Sequence, residues 1–174
     1  MPEARDETIV EASPIWNERL YMGSFPLSGV DLSSDGFDLL VICAVERMYL
    51  LGNPSERETG ELFRCTTLHT LFDDGPVTED VVREAIRGAQ RTADVLRSGG
   101  KVLVTCNAGR NRSGLVIALA ILALFPAMTS ADVIRLIQKR RVTPDGARAL
   151  TNTDFVDFIQ GRYGRARSLE KSNG

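Results

Sequence analysis

The stretch that most constrains the fold is 102–119, Val-Leu-Val-Thr-Cys-Asn-Ala-Gly-Arg-Asn-Arg-Ser-Gly-Leu-Val-Ile-Ala-Leu. An apolar, β-branched run ends in Cys106, small residues follow, and Arg112 and Ser113 then open an apolar helix. A strand that passes into a helix through so short a loop demands an α/β arrangement. Backbone N–H groups of such a loop converge at the helix N-terminus, where the dipole favours an anion. Gly109 permits a turn that a Cβ would oppose. Arg112 supplies a planar fork able to hold two oxygens of one oxyanion. Asn107, Ala108, Gly109, Arg110, Asn111 and Arg112 are therefore the candidate phosphate-binding residues. Cys106, at the base of this positive cradle, would be stabilised as a thiolate and act as a nucleophile. Ser113 is placed to donate to the sulfur when it becomes a leaving group.

Strand, glycine loop and helix recur throughout α/β proteins, and a buried cysteine is most often a small hydrophobe. The functional reading rests on several features in register: Cys-x5-Arg, Gly109, the Arg-Ser-Gly exit, the preceding strand and the following helix.

The rest of the composition narrows the classes open to the chain. Its 174 residues suffice for one domain with one sizeable core. With 21 basic against 23 acidic residues the net charge is −2, which implies no overall attraction to nucleic acid or membrane. Cys43, Cys65 and Cys106 are few, odd in number and widely spaced, against both a disulfide framework and a zinc site. No metal or cofactor is expected. The first residues are charged and lack an apolar signal core. The longest apolar run, 115–126, falls short of the ~20 residues a bilayer requires. A reducing cytoplasm fits a reactive thiol.

Read in order, 9–14 and 19–24 form a short β region, and the unbroken apolar run 37–45 reads as a strand covered on both faces. Cys43 lies within it as a packed core thiol. Residues 46–60 read as a surface excursion with room for one helical turn, whose composition offers no chemistry, and 62–69 as a further strand carrying Cys65 and His69. His69, the only histidine, is read as structural. An Asp-Gly-Pro loop over 71–78 precedes a helix over 79–97, N-capped by Thr78, with an apolar stripe from Val81 to Leu96. Ser98-Gly99-Gly100 stops it before the strand 101–105. After the central helix, 113–125, come a helix ending near Arg141 and a last helix reaching about 163. The run Lys139, Arg140, Arg141 reads as a solvated helix end. Residues 1–8 and 164–174 are expected to be flexible around a domain over 9–163.

Residues 105–114 resemble the phosphate-binding loop of the cysteine-dependent protein tyrosine phosphatase superfamily, most closely its compact dual-specificity group. Leu20-Tyr21-Met22-Gly23-Ser24, Arg-Arg-Val-x-Pro from 140 and Leu-Thr-Asn-x-x-Phe from 150 are similar to further stretches of that family. The resemblance covers most of 20–158. It departs at Thr105, where the family usually carries a histidine that orients the loop and helps set the thiolate pKa. The resemblance implies a single α/β domain with a small central, largely parallel sheet flanked by helices. It implies phosphate monoester hydrolysis through a phosphocysteine, without metal or organic cofactor. Asp74, which precedes Gly75 and lies 32 positions before Cys106 (106 − 74), resembles the family's general acid, with Asp73 the alternative. The implied partner is a phosphorylated protein. Other members act as RNA 5′-phosphatases, whose loop exit Asn111-Arg112-Ser113-Gly114 also resembles, or as phosphoinositide phosphatases, which carry more basic loops. Nucleic acid is a partner only under the RNA reading. A pseudophosphatase that binds phosphate without turnover belongs to a different class.

Overall fold

The structure is a computed structural model and describes residues 10–162. The outer domain limits at 9 and 163, and the segments 1–8 and 164–174, fall outside the described residues. Five strands form one sheet: β1 (Ala12–Trp16), β2 (Leu20–Ser24), β3 (Leu39–Ala44), β4 (Thr67–Phe72) and β5 (Val102–Cys106). Their order is β1-β2-β5-β3-β4. β1 pairs antiparallel with β2 through a turn at Asn17 and Glu18, both at positive φ. Every other pairing is parallel.

The apolar runs of β3 and β5 have a simple cause. Val102, Val104 and Cys106 pack into one core together with Leu39, Val41 and Cys43. Leu103, Leu40 and Ile42 pack into a second core on the opposite face. Successive side chains of a strand alternate faces, so a strand covered on both sides is apolar at every position. The first core lies beneath α3 (Glu79–Arg97), α4 (Arg112–Leu124), α5 (Ser130–Arg140) and α6 (Thr153–Ile159). α4 sits centrally, against the sheet and against α3, α5 and α6, which explains why it is apolar almost all round. Gly88 lets α3 approach closely, because a Cβ there would stand 2.9 Å from Thr70 and 3.2 Å from Val116.

Three expectations are corrected. Residues 46–60 hold more than the single helical turn allowed for them. They hold α1 (Val45–Leu50) and α2 (Glu56–Phe63). Ser55 and Glu58 form a reciprocal capping box that starts α2, and Met48 and Phe63 are buried. Phe63 therefore closes a helix rather than opening a strand. Arg64 ends α2 in the left-handed region, and β4 begins only at Thr67. The last helix stops at Ile159, short of the expected 163.

From β3 the chain moves outward to β4 and then returns through α3 to β5, on the other side of β3. The crossovers diverge between β3 and β5, and a crevice opens beyond the carboxyl ends of such strands. Cys106 ends β5, and Glu46 follows β3 by two residues, so both arrive at that crevice.

Candidate active site

Between Cys106 and Arg112 the carbonyls of residues 107–111 turn outward, and each of these five finds a donor. Asn107 O accepts from Phe25 N at 3.3 Å, Arg110 O from Leu150 N at 3.0 Å, and Asn111 O from Leu115 N at 2.9 Å. Gly109 O accepts from Arg141 Nε at 2.8 Å and Ala108 O from Arg141 Nη2 at 3.3 Å. No backbone N–H from Asn107 to Asn111 donates to an acceptor among the described residues. Outward carbonyls in a tight turn leave the N–H groups facing inward, so the loop is a nest of free donors at the start of α4.

Gly109 is required twice over. Its φ is +62°, and a Cβ there would lie 2.4 Å from the backbone of Gly23 at the end of β2. Arg141 locks the loop from behind. Its side chain is fully buried, and its fork also pairs with both oxygens of the Glu11 carboxylate. The expectation that Arg141 belongs to a solvated basic run is therefore corrected: α5 ends at Arg140, and Arg141 turns inward beneath the loop.

Cys106 is buried at the base, with Ser113 Oγ 3.3 Å from its Sγ. Arg112, at the first position of α4, is also buried. Its two terminal nitrogens donate to the two carboxylate oxygens of Glu46 at 2.6 and 2.5 Å, and Nη1 also donates to Phe72 O. Burial opposes the guanidinium charge, yet Glu46, the thiol of Cys106 and Asp74 together hold its pKa above the ordinary arginine value. The hydrogen bonds from Arg112 in turn hold Glu46 below the usual carboxylate range. One donor is left over: Arg112 Nε is buried and has no acceptor among the described residues. Buried donors are nearly always paired, so an unpaired one on a rigidly held fork marks a place for an acceptor from outside the chain.

Thr105 does not face the loop. It is buried and donates to Val41 O across the sheet at 3.1 Å. Asn107 Oδ1 accepts from Arg47 Nε at 2.7 Å, while Ala108 is exposed and Arg110 half-buried. Asp74 is joined to the loop, since its Oδ2 accepts from Asn111 Nδ2 at 2.9 Å and its Oδ1 from Asn152 Nδ2 at 2.8 Å. Asp73 is exposed and makes no such contact. The structure thus gathers Cys106, Arg112, Ser113, Asn111 and Asp74, and leaves Asp73 at the edge.

His69 stands apart. Its Nε2 lies 2.8 Å from Thr59 Oγ1, and burial lowers its pKa. Cys65 packs in the second core, on the other face of the sheet from Cys106. Cys43 shares the Cys106 core, and burial pushes its thiol up to about 12. Sequence reasoning missed Glu46, Arg141 and Asn152. Position held the only signals: an acid just past a strand end, the last residue of a basic run, and an Asn in an N-cap slot. Among the described residues no group of three His, Cys, Asp or Glu side chains could hold a metal ion, and no helix is long and apolar enough to cross a membrane.

No protein-family model matches the sequence, and no curated protein matches it significantly. Solved structures do match the fold. Tk-PTP in its active form superposes with a TM-score of 0.68 at 20% identity, over 89% of this chain and 97% of that one. A mouse putative dual specificity phosphatase, complexed with zinc tungstate, gives 0.67 at 17% identity over 98% and 97%. PTPMT1 in complex with PI(5)P gives 0.65 at 16% over 87% and 96%. The chain has the fold of the protein tyrosine phosphatases, in the compact form seen in dual-specificity phosphatases.

Proposed function

We propose that the protein hydrolyses phosphate monoesters through a phosphocysteine. One observation carries this reading: the free N–H groups of residues 107–111 and the unpaired Nε of Arg112 belong to the loop that joins Cys106 to the N-terminus of α4, where Ser113 Oγ lies 3.3 Å from the Cys106 sulfur. These donors suit the three equatorial oxygens of a transferring phosphoryl group, where charge develops in the transition state. The Cys106 thiolate attacks phosphorus and forms an S–P bond. The P–O bond to the leaving group breaks, and that oxygen takes the proton of Asp74. Water then attacks the phosphocysteine and gives its proton to the Asp74 carboxylate. The S–P bond breaks, phosphate leaves, and the Ser113 hydroxyl stabilises the departing thiolate. Glu46 fixes the roll of the Arg112 fork, so that Nε and the remaining Nη2 hydrogen face the phosphate.

A phosphorylated protein is the first substrate class, and a reducing cytoplasm would keep Cys106 active. The bound PI(5)P of one structural neighbour makes a phosphoinositide the second class to test. The reading is tested by phosphate release from a small aryl phosphate, with vanadate as inhibitor. Wild type should turn over and Cys106→Ser should not. Equal rates for the two would remove the cysteine mechanism, and vanadate binding without turnover would leave a phosphate-binding protein. A panel of phosphotyrosyl and phosphoseryl peptides, phosphoinositides and 5′-triphosphorylated RNA then sorts the substrate.

A further inference from the structure

We infer that Asn152 is a positioning residue for the Asp74 general acid, an inference that rests on the phosphatase reading above. The Asp74 carboxyl stands on an exposed loop after β4, where nothing in its own segment fixes it. Two amides from elsewhere in the chain hold it, one on each oxygen. Asn111 donates from the phosphate loop at 2.9 Å, and Asn152 donates from the start of α6 at 2.8 Å.

The orientation of both amides is forced. Asn152 Oδ1 accepts from the N–H groups of Asp154 and Phe155 as the N-cap of α6. Those partners can only donate, so Nδ2 must face the carboxyl. Its second hydrogen goes to Gly75 O at 3.0 Å. Every bonding position of the side chain that matters is used: two acceptor contacts lock its ring-like cap, and two donors grip the acid loop at Asp74 and at the next residue. Asn111 is fixed in the same way, because its Oδ1 accepts from the backbone N–H groups of Thr151 and Asn152 at 2.8 and 3.1 Å. The acid loop, the phosphate loop and the first turn of α6 are thus joined by two side chains, with Asn111 also accepting from the backbone that carries Asn152.

The choice of residue type matters. An amide donates to a carboxyl oxygen whether or not that group carries its proton, so the same clamp serves both halves of the reaction. Asp74 gives its proton in the first step and takes one in the second. A catalytic group contributes only when held within a narrow range of distance and angle. Without Asn152 the Asp74 carboxyl keeps one tether, to Asn111, and can swing about it.

This makes a prediction that a purely structural role does not. Protonation of the leaving oxygen matters for a phenolate like that of tyrosine, with pKa ~10, and matters far less for an electron-poor nitrophenolate. Asn152→Ser retains an N-cap acceptor for α6 but lacks the donor that reaches Asp74. Its kcat/KM for phenyl phosphate, which reports the steps up to phosphocysteine formation and not the hydrolysis common to both substrates, should fall ~10-fold or more, within the range general acids contribute, while kcat/KM for nitrophenyl phosphate falls much less. In an Asp74→Asn background the same substitution should add no further loss, as two residues acting through one proton transfer are non-additive. Equal fold-losses for the two substrates, or additive losses with Asp74→Asn, would overturn the positioning role while leaving the phosphatase reading intact. Wild-type protein with no Cys106-dependent turnover of either substrate would overturn both. The melting temperature of Asn152→Ser, read alongside, should stay close to wild type.

Discussion

Arg141 offers the most demanding test of how the phosphate loop is held. Its side chain makes six hydrogen bonds: one each to Gly109 O, Ala108 O, Ser13 Oγ and Val142 O, and two to the Glu11 carboxylate. Arg141→Met keeps a long apolar stem and removes all of them. Gly109 is buried, so its carbonyl loses a donor that water cannot readily replace, at a cost of about 1–3 kcal/mol. Glu11 loses its charged partner. Breaking a fully buried pair costs about 3–5 kcal/mol, but the Glu11 side chain is 31% exposed and keeps Ser24 as a donor, so the lower end applies. The sum is about 4–6 kcal/mol. For a chain of this size each kcal/mol moves the midpoint about 2–4 °C, so the melting temperature should drop roughly 8–24 °C. Function should suffer more than stability implies, because the two freed carbonyls can rotate inward and take the loop N–H groups with them. Arg141→Lys restores a charge for Glu11 but no fork, and should recover part of the stability with little of the anion affinity. Thermal denaturation and vanadate titration, read together, check this. A Met variant that melts within about 3 °C of wild type and binds vanadate equally well would refute the claim that Arg141 sets the loop.

Gly109→Ala should lose anion binding and be destabilised by at least about 1–3 kcal/mol, since it combines a positive φ with a backbone contact at 2.4 Å; retained vanadate inhibition would count against the cradle. Glu46 is held below its ordinary 4.5 chiefly by Arg112, and Glu11, against the opposing effect of burial, by Arg141 and Ser24. Their folded pKa values thus lie below the unfolded ones, so the stability they contribute is present above about 4.5 and is lost as pH falls below it. Melting temperature measured against pH should fall on acidification, and should fall less steeply for Glu46→Gln; identical slopes would remove the ion pair from the account. Burial holds the thiols of Cys43 and Cys65 up at about 12 and about 11, so iodoacetamide at neutral pH should label Cys106 first and vanadate should protect it. Mass mapping that finds Cys43 or Cys65 modified ahead of Cys106 would contradict this.

The parts of this protein legible in its sequence are those where one segment carries its own explanation. Residues 79–97 announce a helix through the Thr78 cap, the acidic first turn and the apolar stripe, and the structure has α3 at those limits. The strand, cysteine loop and helix around Cys106 are likewise local, because the anion site is made by backbone that runs through six consecutive residues. What sequence alone did not yield is of another kind. Glu46, Arg141 and Asn152 lie 66, 32 and 41 residues from their partners Arg112, Gly109 and Asn111. Each is an ordinary residue in an ordinary slot: a first-turn acid, a basic residue after a helix end, an Asn at an N-cap. Propensity explains every one of them as a surface feature, and the solvated reading of Arg141 followed from that. Only the sheet order, which brings β5 between β2 and β3, turns these slots toward one crevice. The misplacement of α2 has a different origin. Leu62 and Phe63 supplied an apolar pair that reads as a strand start, but the Ser55–Glu58 capping box upstream commits the chain to a helix that consumes them. The catalytic candidates are therefore encoded locally, while the groups that hold them in place are encoded by topology. That division predicts where substitutions will act: changes at Cys106 or Arg112 should abolish chemistry in a folded protein, and changes at Arg141 should lower stability and anion binding together.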